Sequence, residues 1–91
     1  MLIVASDVKQ KLLVKHGVTI EEVEQCFASM GKTLIDNREE NKTTPPTRWF
    51  IGETDFGKQL KVVFIFDGKD FYLKTAYPPN SEEVRIYHKF C

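Results

Sequence analysis

RWFIGETDFGKQLKVVFIFDGKDFYLKTAY, residues 48–77, is the stretch on which the fold turns. Three runs rich in β-branched and aromatic residues, RWFIGE, LKVVFIF and FYLKTAY, are separated by TDFGK and DGKD, short glycine-containing connections of the hairpin kind. Strands joined this tightly run antiparallel, and their side chains alternate between two faces. Pairing Phe66 with Phe71 across DGKD sets Phe64 opposite Leu73, Val62 opposite Thr75 and Leu60 opposite Tyr77. Pairing Glu53 with Lys58 across TDFG continues that apolar face through Ile51 opposite Leu60 and Trp49 opposite Val62. The same parity sends Arg48, Lys61 and Lys74 to the other face, with Phe50, Val63, Ile65 and Tyr72 among them.

Upstream, the period changes. Met1 to Ala5 fits a short strand, Ser6 is a candidate N-cap, and Val8, Leu12 and Leu13 recur on one face of a first helix that His16-Gly17 closes. In VTIEEV, Thr19 and Glu22 form a capping box, with Val18 and Val23 as its hydrophobic staple. A second helix follows from about Ile20 to Met30, burying Val23, Phe27 and Met30 and stopping at Gly31. KTLID reads as a strand, and NREENKTTPPT, polar and broken by Pro45-Pro46, as a loop. Beyond Pro78-Pro79 a last helix starts near Ser81 and carries Val84, Ile86, Tyr87 and Phe90. The expected architecture is α+β: two N-terminal helices, a four-stranded, mostly antiparallel sheet and a C-terminal helix, with the short N-terminal strand as an addition.

Composition bounds the function. A chain of 91 residues is read as one domain, and 42% hydrophobic with 29% charged residues is the balance of a globular protein. Thirteen basic and thirteen acidic side chains cancel, so any nucleic-acid binding has to come from a local patch. Cys26 and Cys91 offer neither a disulfide framework nor metal-ligand spacing, and nothing in the sequence calls for a cofactor. MLIVAS is short for a signal core and runs straight into Asp7 and Lys9, so the expectation is a cytoplasmic protein with no membrane partner.

One segment resembles a known family. Lys15-His16-Gly17-Val18 with Glu21-Glu22, then Arg48 before Ile51-Gly52, Val62-Val63, and Lys74-Thr75-Ala76 ahead of Glu83-Val84-Arg85-Ile86-Tyr87 are similar to the BrnT-type toxins of bacterial toxin–antitoxin pairs, within the RelE/ParE group of small ribonucleases. The likeness runs from about residue 9 to residue 88. It departs where the family often has Ser-Ala-Arg and this chain has Thr75-Ala76-Tyr77, and Arg48 stands one residue closer to its Ile-Gly pair. The resemblance implies a RelE-like fold, a metal-independent endoribonuclease, RNA (ribosome-associated or free) as substrate, and a cognate antitoxin as partner.

Cleaving RNA through the ribose 2′-hydroxyl needs a base, an acid and a cation for the phosphorane. On that expectation Arg48, Lys74, Arg85 and His88 are the catalytic candidates, and Lys61, Tyr72, Lys15 and His16 the RNA-binding ones. Six of them have a plainer reading: Lys61 and Lys74 as solubilising residues of a half-exposed sheet, Arg48 as the partner of Glu39 or Glu53, Lys15 and His16 as cations at a helix end, and His88 as a solvent-facing side chain. Tyr77 reads as packing first and as a base or stacking platform second, and of Arg85 and Tyr87 the tyrosine is the one expected to pack. A non-catalytic module, or an inactive toxin relative, that binds a protein partner through the exposed sheet face is the alternative function.

Overall fold

The computed structural model describes residues 1–36 and 43–90. Strand β1 (Leu2–Ile3) leads into α1 (Ser6–Lys11), whose last turn widens into a π-turn over Leu12–His16, followed by α2 (Ile20–Ala28). Strands β2 (Leu34–Ile35), β3 (Thr47–Glu53), β4 (Gln59–Phe66) and β5 (Phe71–Tyr77) precede α3 (Ser81–Phe90). The α+β class holds, with five strands in the order β1-β5-β4-β3-β2. β1 lies parallel on β5 while the other pairs are antiparallel, so the sheet is mixed. Of the expected polar loop, residues 37–42 lie outside the described residues, as does Cys91, and Thr47 already belongs to β3.

Local chemistry accounts for most helix ends. Glu22 N–H donates to Thr19 Oγ1 and Thr19 N–H donates to Glu22 Oε1, the reciprocal capping box that the sequence predicts. Ser6 is the first helical residue, with Ala5 in extended conformation before it, so Ser6 does not cap α1. Gly17 closes the π-turn at φ 62°, a left-handed position that glycine adopts without steric cost. α2 ends two residues earlier than expected, at Ala28.

The register differs from the expected one, and with it the faces. The β3–β4 connection is one residue longer than a tight TDFG turn: Thr54 N–H donates to Lys58 O, Lys58 N–H donates to Thr54 Oγ1, and Glu53 pairs with Gln59. Every side chain of β3 therefore changes sides. Phe50 sits opposite Val62 in the core, and Trp49 sits opposite Val63 on the other face. The β4–β5 register holds from Phe66–Phe71 to Phe64–Leu73, then slips at a bulge where Lys74 is left without a ladder partner. Beyond it Val63 faces Thr75 and Lys61 faces Tyr77, so Ala76, not Tyr77, enters the core.

Two unlike layers cover the sheet. Against one face α1, the π-turn and α2 bury Leu12, Val18, Val23 and Cys26 on Phe50, Leu60, Val62, Phe64, Leu73 and Ala76. Leu13, expected on that face, is exposed because the widened turn rotates it away. Phe27 meets Phe50, Phe64 and Phe71 edge-on at 5.2–5.5 Å. The approach is closest at Gly52, where a Cβ would stand 3.0 Å from Cys26 Cβ and 3.0 Å from the Phe50 ring. α3 lies on the other face and has no fully buried residue of its own.

Candidate functional site

The α3 face gathers the chemistry. Odd-numbered β4 residues and the flipped ends of β3 and β5 bring Lys61, Trp49 and Tyr77 together, and α3 lays Glu83 and Tyr87 over them. The Lys61 ammonium is only 6% exposed as a residue and donates to Glu83 Oε2 at 2.8 Å. Its Nζ also stands 4.5 Å from the centre of the Trp49 ring and 5.7 Å from that of Tyr77. Tyr77 OH donates to the same Glu83 oxygen at 2.9 Å. The other carboxylate oxygen accepts the Asn80 N–H at 3.0 Å, while Glu83 N–H donates to Asn80 Oδ1 at 2.8 Å. Asn80 and Glu83 thus cap α3 reciprocally, and the glutamate that closes the box also neutralises a buried lysine. At the far side Tyr87 OH donates to the Lys32 carbonyl at 2.6 Å, and its ring lies 5.7 Å from Trp49.

Electrostatics follow from that packing. Burial pushes the Glu83 carboxyl up, but Lys61, the Asn80 N–H and Tyr77 together outweigh it and hold the group below its ordinary value. Burial, then the hydrogen bond to Glu83, pushes the Tyr77 hydroxyl above its ordinary value, so it is a poor base at neutral pH. The Cys26 thiol is raised to about 11 by burial and by the charges of Glu22 and Glu53 and offers no thiolate nucleophile.

The predicted site residues are dispersed. Arg48 pairs across β3 with Phe64 and Ile35, which puts it on the face opposite Lys61 and overturns the expected row of cations. It makes no ion pair with Glu53 or any other described residue, and Glu39 lies outside the described residues. Lys74 is exposed at the bulge. Arg85 is exposed and bonded through its guanidinium to Glu82, one turn away on α3. His88 is exposed near the end of α3, with the Tyr87 ring at 6.1 Å. Tyr72 is exposed and donates to Asp67 at 3.2 Å, which raises its hydroxyl further. Lys15 and His16 are exposed on the π-turn, and the His16 ring lies 5.6 Å from Tyr77. Lys61 and His16 are the two candidates that reach one cluster, whose centre is Tyr77, expected to pack, and Glu83, which is not among the candidates. The Asn80-Ser81-Glu82-Glu83 spacing, a helix-start signal behind Pro78-Pro79, is the sequence feature that marks Glu83.

Two shallow grooves meet at Arg48. One of about 300 Å³ is lined by Met30, Thr33, Arg48, Phe64, Phe66 and Phe71. The other, about 620 Å³, is lined by Leu34, Ile35, Arg48, Trp49, Ile86 and Phe90, with Thr33 between the two. Ile35, Phe66 and Phe90 are all substantially exposed along them. Among the described residues no group of three or more His, Cys, Asp or Glu can hold a metal ion, and no helix is long and apolar enough to cross a membrane. Set against known proteins, the chain matches no family model, no curated protein and no solved structure.

Proposed function

We propose that this domain, a toxin-type scaffold of the RelE/BrnT kind, acts by binding a protein partner at the β2–β3 edge and does not cut RNA itself. The observation that carries this reading is Arg48: a guanidinium with no ion-pair partner among the described residues, placed between two grooves whose walls are mostly apolar. Such a surface suits a segment that offers a carboxylate to Arg48 and apolar side chains to Ile35, Phe66 and Phe90. The cations that RNA cleavage would need are otherwise engaged or scattered. Lys61 is neutralised under α3, Arg85 is held by Glu82, and Arg48 faces away from both.

Endoribonuclease activity is the second reading, and one contact favours it. His16 stands against the Tyr77 ring, and Tyr77 in turn bonds the Glu83 carboxylate that holds Lys61, so an imidazole lies one side chain away from a carboxylate and an ammonium. The two readings separate on expression of the chain alone in a bacterial host. Binding without cleavage predicts unimpaired growth and intact RNA, together with loss of partner affinity of about tenfold in Arg48→Ala. Growth arrest with fragmented RNA, relieved by His16→Ala or Lys74→Ala in protein that stays folded, would reverse the assignment.

A further inference from the structure

The far end of the sheet from Arg48 carries a second unpartnered surface. Lys9, Lys11, Lys15 and His16 fall within eight residues, and no carboxylate occurs between Val8 and Val18, in a chain whose formal charges cancel. Within the π-turn only Leu12 is buried, while its neighbours Leu13 and Val14 are 59% and 74% exposed. Scattered surface leucines are ordinary. Two consecutive large aliphatic side chains raised on a widened turn and flanked by lysines form a ridge with a defined chemistry.

A groove runs along each flank of that ridge. One, of about 230 Å³, is lined by Lys9, Leu13, Val18, Thr19, Ile20 and Glu21. The other, of about 290 Å³, is lined by Asp7, Gln10, Lys11, Val14 and Lys15. Each holds one carboxylate, but lysines outnumber acids across the pair. Aliphatic Leu13 and Val14 offer no ring on which a base could stack, which disfavours RNA. Two side chains are also too little apolar surface to hold a protein on a lipid bilayer.

We propose that the Leu13–Val14 ridge docks an acidic amphipathic helix of a partner protein. Charge complementarity selects the occupant: apolar residues at helical spacing straddle the ridge, and carboxylates on either side reach Lys9 and Lys15. The proposal stands apart from the β2-edge reading, since α1 and the π-turn pack on β5, which β4 separates from β3 in the sheet order.

The test is a titration of isotope-labelled protein with a synthetic 18-residue peptide, leucines at i, i+3, i+4 and i+7 spacing and glutamates elsewhere. Expected are amide shifts confined to residues 7–21, loss of affinity of at least about tenfold in Leu13→Ser/Val14→Ser, and a smaller loss in Lys11→Glu/Lys15→Glu that tracks added salt. Both residues being solvent-exposed, circular dichroism should show the variants folded. Equal binding of the peptide with lysines in place of glutamates would overturn the proposal. So would shifts centred on Ile35 and Arg48, unchanged affinity in the serine variant, or preferential binding to phosphatidylserine vesicles.

Discussion

The two helix starts, Thr19 before α2 and Asn80 before α3, use the same device on opposite faces of one sheet. Each is a reciprocal capping box closed by a glutamate, and each glutamate is bridged to a lysine of the β4 region, Glu22 to Lys58 at 3.3 Å and Glu83 to Lys61 at 2.8 Å. Burial separates them. The Lys58 and Glu22 side chains are 39% and 24% exposed, whereas those of Lys61 and Glu83 are 7% and 17%. α2 is held by an apolar interface and its box is a local refinement, while α3 buries no residue fully and is fastened by the polar anchor beneath its first turn and by Tyr87 against Trp49 and the Lys32 carbonyl. A capping motif read from sequence is thus a statement about a helix end, and its energetic weight is decided by what the next layer does with the same carboxylate.

The largest expected effect follows from removing that anchor. Glu83→Ala leaves a buried ammonium without its carboxylate and an uncapped helix, and should cost about 3 kcal/mol in urea unfolding. A cost below that of a surface cap would show that α3 is held some other way. On the opposite face, Gly52→Ala forces a Cβ to within 3.0 Å of Cys26 Cβ and 3.1 Å of the Cys26 carbonyl oxygen. Overpacking there should cost about 1–2 kcal/mol, measurable in the same experiment, and no loss would mean that α2 yields easily.

Acid titration compares the two boxes directly. Both glutamates sit below their ordinary value of 4.5: Glu22 chiefly through the Thr19 N–H, Glu83 against the upward push of burial through Lys61, the Asn80 N–H and Tyr77. A carboxyl depressed in the folded state contributes stability above its unfolded value, and that contribution disappears as pH falls through the folded one. Stability should therefore fall as the solution is acidified below about pH 4.5, and Glu83→Gln and Glu22→Gln should each flatten part of that fall. An unchanged slope in either variant would show that its carboxyl is not depressed in the folded state. The smallest effect belongs to Glu22→Ala, about 0.5 kcal/mol, because its lysine partner stays hydrated.

The same contrast explains how much the sequence revealed. Thr19 and Glu22 were legible because both signals are local and follow a glycine stop. The helices, the three long strands and the inward parity of Leu60, Val62 and Phe64 were legible for the same reason. What failed was one residue in each hairpin. Thr54 uses its side chain to lengthen the first connection, and Lys74 bulges out of the second ladder. Neither event has a strong composition signature, yet each reverses a whole strand segment and so exchanges Trp49 with Phe50 and Tyr77 with Ala76. The lysine placed correctly by parity, Lys61, then lay beneath α3 instead of open to a ligand, because helix packing on that face is a tertiary outcome that alternation does not encode.

Lys61 and Glu83 act as one buried unit beneath α3, and a double-mutant cycle measures their coupling without further assumption. Stabilities of the parent, Lys61→Met, Glu83→Gln and the double variant should yield a coupling energy of about 2 kcal/mol, with the double variant more stable than the sum of the single losses predicts. A coupling within about 0.3 kcal/mol of zero would mean two independent groups, an unpinned α3, and a lysine free to meet a ligand.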